Sequence, residues 1–170
     1  MRIFIISIVL VCNFIIQSTI LPNMHLPWSV PDTLMVIVVS FSLLNGSIAG
    51  AVVGFSAGML QDVVFGKYIG LNSLLYMLIG YIAGIPYKKV YIDQFIIPAL
   101  IGMAAYVLKE LMMILILYIM RMNVPLPISL INKIFPGILY TGIVMVFIHL
   151  FMLWLHRFKF MNNKWKIGMP

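Results

Sequence analysis

Ser56 stands in Gly54-Phe-Ser56-Ala-Gly58, the G-x-S-x-G spacing that presents a nucleophilic hydroxyl on a strained strand-to-helix turn. Here those five residues lie inside an apolar run, so the turn that would expose the hydroxyl is missing. An intramembrane serine-protease dyad of Ser56 with His149 is the other acyl-transfer reading, and the motifs that surround such dyads are not visible. Gly66-Lys67 looks like the end of a phosphate-binding loop, but Gln61 stands where its first glycine belongs and Tyr68 replaces the Ser or Thr. There is no H-E-x-x-H pair, and Cys12 is the single cysteine. The residue types therefore predict no enzyme, no metal centre and no cofactor.

Three other features carry physical weight. Gly46, Gly50, Gly54 and Gly58 recur every four residues and lead to Asp62, and Gly80-Tyr-Ile-Ala-Gly84 repeats the spacing. Missing side chains at that spacing let helix backbones touch in a membrane. The stripe serves either packing within one bundle or docking of another protein's helix. Asp62 falls at the C-terminal end of its helix, where the dipole disfavours an anion. It needs a partner: Lys67, the amides opening the next helix near Asn72, or a group on a partner or ligand. Lys109 and Glu110 lie about 16 Å or more from Arg121 by helical rise, deep in an apolar segment. Adjacent positions point about 100° apart, so the two do not simply neutralise each other on one face. Intramembrane charges are either a polar clamp between helices or part of a functional site.

The elements that must position these residues follow from composition. Of 170 residues, 64% are hydrophobic and 9% charged, and the mean hydropathy is +1.13. A soluble globule of this size could not cover so much apolar surface. The net charge of +7 sits mostly at segment ends, which reads as membrane topology and not as nucleic-acid binding. The chain is expected to be an all-α polytopic membrane protein, with residues 1–156 as one six-helix domain and 157–170 as a basic cytoplasmic tail. The expected spans are 3–21, 31–44, 46–65, 71–85, 94–120 and 133–155, with Trp28 as an interfacial anchor in the loop from Pro22 to Pro31. The second and third come from dividing one charge-free run at the turn pair Asn45-Gly46. The second is short, about 21 Å at 1.5 Å per residue, against a hydrocarbon core of about 30 Å. Asn123-Val-Pro125-Leu-Pro127 reads as a rigid connector. With both termini inside, Arg2, Lys88, Lys89 and the tail's Arg157, Lys159, Lys164 and Lys166 are cytoplasmic, against Lys67, Arg121 and Lys133 outside. Five spans would reverse that bias.

The stretch Gly54-Phe-Ser-Ala-Gly58-Met-Leu-Gln-Asp62, then Gly70-Leu-Asn72-Ser-Leu-Leu-Tyr76 and Gly80-Tyr81, resembles the MreD family of bacterial rod shape-determining membrane proteins. Leu108-Lys109-Glu110 and Phe135-Pro136 are weaker matches. The resemblance implies a fold similar to the substrate-binding S components of vitamin transporters, and no catalytic centre. It implies a place in the inner membrane as a multi-pass scaffold of the elongation machinery that inserts peptidoglycan into the lateral wall. Its implied partners are MreC, a single-pass membrane protein, with MreB, RodA, the elongation transpeptidase (a penicillin-binding protein) and membrane lipids. On this sequence, Gly50, Gly54, Gly58, Asp62, Gly80 and Gly84 become partner-binding or helix-packing positions, and Lys109 and Glu110 an intramembrane polar pair. The alternative is an S component of an ECF-type vitamin transporter with Asp62, Lys109 and Glu110 around its ligand. Against it, the first helix has no A-x-x-x-A docking surface, since Ile3 to Leu21 contains no alanine.

Overall fold

The computed structural model describes residues 2–23, 32–65, 69–87, 96–121 and 127–156. They form six helices: α1 (Arg2–Asn23), α2 (Thr33–Asn45), α3 (Ser47–Phe65), α4 (Leu71–Ala83), α5 (Ile96–Ile119) and α6 (Pro127–His156). Trp28, Lys67, Lys88, Lys89, Asp93 and the tail beyond His156 lie outside the described residues. Three helices carry apolar windows long enough to cross a bilayer, Ser47–Val64, Ile96–Ile119 and Ile134–Trp154. Among the described residues, Ile6–Thr19, Thr33–Asn45 and Leu71–Ala83 are shorter apolar helices.

Local chemistry explains the breaks. Gly46 takes φ +93°, a conformation side chains rarely adopt, and its N–H closes on Ser42 O at 2.8 Å. The charge-free run from Thr33 therefore becomes two antiparallel helices with almost no loop. Gly70, at φ +98°, makes the corresponding entry into α4. Two ends differ from expectation. Pro22, read as opening a loop, lies in the last turn of α1, where a proline forfeits one backbone hydrogen bond. The connector residue Pro127 begins α6 instead of preceding it, because a proline at the first helical position loses only an N–H that has no intrahelical partner. Pro136 sits inside that helix.

α2 is the hub. It packs on α1, α3, α4, α5 and α6, whereas α1, among the described residues, touches α2 and α3 alone. Every residue of α2 from Thr33 to Leu44 is buried, including Leu34, Met35, Val36, Val38, Val39 and Phe41 at 0% exposure. A helix of 13 residues spans only about 20 Å. Both its ends therefore lie within the bundle, and its end groups must find partners in protein. The outward faces are apolar: Val52, Phe55 and Val63 on α3, Leu100, Leu111 and Leu115 on α5, Phe147 and Trp154 on α6. Between α1 and α3 an open groove of about 480 Å³ is lined by Ser7, Leu10, Val11, Phe55, Ser56 and Met59, among others.

Candidate functional site

The glycine stripe of α3 lies against α4. A Cβ on Gly54 would collide with the carbonyl of Tyr76, one on Gly58 with the backbone of Asn72 and Ser73, and one on Gly50 with Ser42 and the Gly80 carbonyl. The relation is reciprocal: Gly80 abuts Gly50, and Gly84 abuts Ser47 and Gly46. Backbone meets backbone along the whole crossing, as small residues at spacing four permit. Gly50, Gly54 and Gly58 are all buried, so α4 occupies the face that an external helix would otherwise use.

Asp62 closes the far end of the same pair. Its carboxylate, 1% exposed, accepts from Gly70 N (2.9 Å), Asn72 N (3.2 Å), Asn72 Nδ2 (2.9 Å), Ser73 N (3.0 Å) and Ser73 Oγ (3.2 Å). The anion sits at the C-terminal end of its own helix, yet it caps the N-terminal end of α4, where free amides and the dipole favour negative charge. The α3–α4 turn is tied by the side chain that terminates the glycine stripe.

One turn further into the bundle lies a second polar layer, centred on Asp32. Asp32 caps α2, its Oδ1 accepting from Met35 N at 3.2 Å. Its Oδ2 accepts from Lys109 Nζ of α5 at 2.7 Å and from the Tyr76 hydroxyl of α4. That hydroxyl also meets Gln61 Oε1 of α3. Lys109 Nζ lies 5.9 Å from the centre of the Tyr76 ring and 3.5 Å from Glu110 Oε1. The lysine is thus held mainly by Asp32, and the two neighbours on α5 do approach each other, because the long lysine chain bends where the backbone directions diverge. On the other side of Asp32, Thr33 Oγ1 donates to Gln17 Oε1 (2.8 Å) and lies 2.9 Å from Asn13 Oδ1; Leu34 N donates to Gln17 Oε1 (3.2 Å). The first turn of α2 therefore links α1, α3, α4 and α5 through side chains.

His149 of α6, 1% exposed, pairs with α2 two turns away, its Nδ1 2.9 Å from Ser40 Oγ. Ser56 is not its partner. The Ser56 hydroxyl donates to Val52 O at 3.0 Å on the exposed side of α3. The nucleophile-and-base reading has no geometry behind it, since one group faces the surface and the other the core. Sequence reasoning missed Asp32, Tyr76, Gln61 and Ser40. The available signal for Asp32 was scarcity: it is one of only four acidic residues in the chain, and it sits beside an apolar run with a buried lysine elsewhere awaiting a counter-charge.

What this arrangement does chemically is bind helices to one another. A carboxylate, an ammonium and the carboxamides of Asn13, Gln17 and Gln61 meet groups on neighbouring helices at the end of a short central helix whose backbone would otherwise be unsatisfied. No group of three or more His, Cys, Asp or Glu residues is placed to hold a metal ion among the described residues.

No curated protein and no solved structure matches the chain. The model of the family described as rod shape-determining protein MreD matches residues 1–164. That match takes in the glycine stripe, the Asp62 clamp and the Lys109–Glu110 pair, and it covers nearly the whole chain. The chain belongs to the MreD family of rod shape-determining membrane proteins.

Proposed function

We propose that the protein is a non-enzymatic scaffold of the lateral-wall peptidoglycan machinery, held in the bacterial inner membrane by six spans with both termini in the cytoplasm. It would dock MreC through the bilayer and, through that complex, work alongside MreB, RodA and the elongation transpeptidase. Membership of the MreD family carries this reading. The geometry supports it in one respect: the strongest polar groups of the described core, Asp32, Asp62, Lys109 and His149, are engaged in holding helices together. Such a bundle suits a protein that works by presenting a fixed surface. The short α2 is compatible with a span because it is buried from Thr33 to Leu44 among the other helices, so its ends can be satisfied within protein. Glycines 50, 54, 58, 80 and 84, with Asp62, are assigned to packing of α3 on α4, and Lys109 with Glu110 to the polar layer.

The experiment is depletion with complementation, joined to co-purification. Loss of the protein should turn rods into rounded cells, and a tagged copy extracted in mild detergent should bring MreC with it. Cells that keep their rod shape on depletion, with a vitamin found tightly bound to the purified protein, would replace this reading with a transport subunit.

A further inference from the structure

We draw no further inference here: the strongest candidate, the open apolar groove between α1 and α3 lined by Leu10, Val11, Phe55 and Met59, is an unpartnered face of the bundle, and nothing in the structure shows what covers it.

Discussion

Lys109 Nζ donates to Asp32 Oδ2 at 2.7 Å across 77 positions of sequence, with both side chains almost sealed from the surface. Two charges so placed are worth little relative to a well-packed apolar pair, yet removing the lysine strands Asp32, whereas removing Asp32 still leaves Lys109 beside Glu110 at 3.5 Å. Lys109→Met should therefore destabilise the protein by about 3–5 kcal/mol, the cost of an uncompensated buried charge. Asp32→Asn combined with Lys109→Met should recover part of that loss, since no full charge then remains at the Asp32 position. Thermal unfolding of the purified variants in one detergent measures both. A double variant less stable than the single one would show that the pair is not the unit described.

The contact of α3 with α4 predicts an unusually steep response to small substitutions. Gly54→Ala adds one methyl group, and that methyl has the Tyr76 carbonyl in its place. Overpacking in a tight core costs about 1–3 kcal/mol, and a backbone neighbour cannot rotate aside. Gly58→Ala should behave alike, while Val52→Ala on the exposed face of the same helix should stay within about 0.5 kcal/mol, as surface changes do. Unfolding midpoints across the three variants provide the comparison. Equal effects at Gly54 and Val52 would mean that α3 and α4 do not meet backbone to backbone.

The helices and the Asn45-Gly46 break were legible because they rest on local patterns: apolar runs, turn dipeptides and glycine spacing. The stripe itself was legible, but spacing alone does not say which helix fills it. Only the three-dimensional arrangement shows that Gly50 meets Gly80. Asp32 was hidden for a different reason. Its local role as the cap of α2 is complete in itself, so nothing nearby asks for a second partner, and the lysine that supplies one lies three helices away. Lys109 posed the converse problem: its depth in an apolar helix announced a partner, but nothing in its local sequence points to an aspartate 77 positions away. Pro22 and Pro127 were read as loop residues because proline breaks helices, yet Pro22 lies in the last turn of α1 and Pro127 takes the first position of α6, where its missing N–H costs nothing.

Asp62 predicts a graded series. Asp62→Ala removes the acceptor for Gly70 N, Asn72 N and Ser73 N together, and orphaned buried donors cost about 1–3 kcal/mol each when left without solvent. Asn72→Ala removes only the Nδ2 arm and leaves the carboxylate on the backbone amides, so its effect should be no more than about 1.5 kcal/mol, the net worth of one ordinary hydrogen bond. Limited proteolysis between α3 and α4 offers a local readout beside global unfolding. Cleavage there should accelerate in the alanine variant at position 62 and stay near the parent rate in the other. Equal cleavage in all three proteins would remove the clamp from the account.

The proposed six-span arrangement makes a direct prediction about access from the two sides of the membrane. With Cys12 replaced by serine, single cysteines at Lys67→Cys and Asn123→Cys should react with an impermeant maleimide added to the outer face. Lys89→Cys should react only after the membrane is opened. Positions 67 and 89 flank α4, and positions 89 and 123 flank α5, so the three together test two crossings. Labelling of position 89 from outside would reverse the orientation or change the number of spans.

Ser56 and His149 separate a scaffold from a hydrolase most sharply. Because the Ser56 hydroxyl is bonded to Val52 O on the outward face of α3, Ser56→Ala loses one exposed intrahelical bond. It should leave stability within about 0.5 kcal/mol, the usual range for a surface change. It should also restore rod shape in depleted cells as fully as the parent does. Ser40→Ala is the contrasting change, because it removes the hydroxyl that links α2 to the buried His149 Nδ1 and should cost about 0.5–1.5 kcal/mol, the net worth of one hydrogen bond. Scored by cell shape at matched membrane levels of protein, the two variants should both complement, with Ser40→Ala failing first as temperature rises. A stable, abundant Ser56→Ala protein that could not maintain rods would restore the nucleophile and end the scaffold reading.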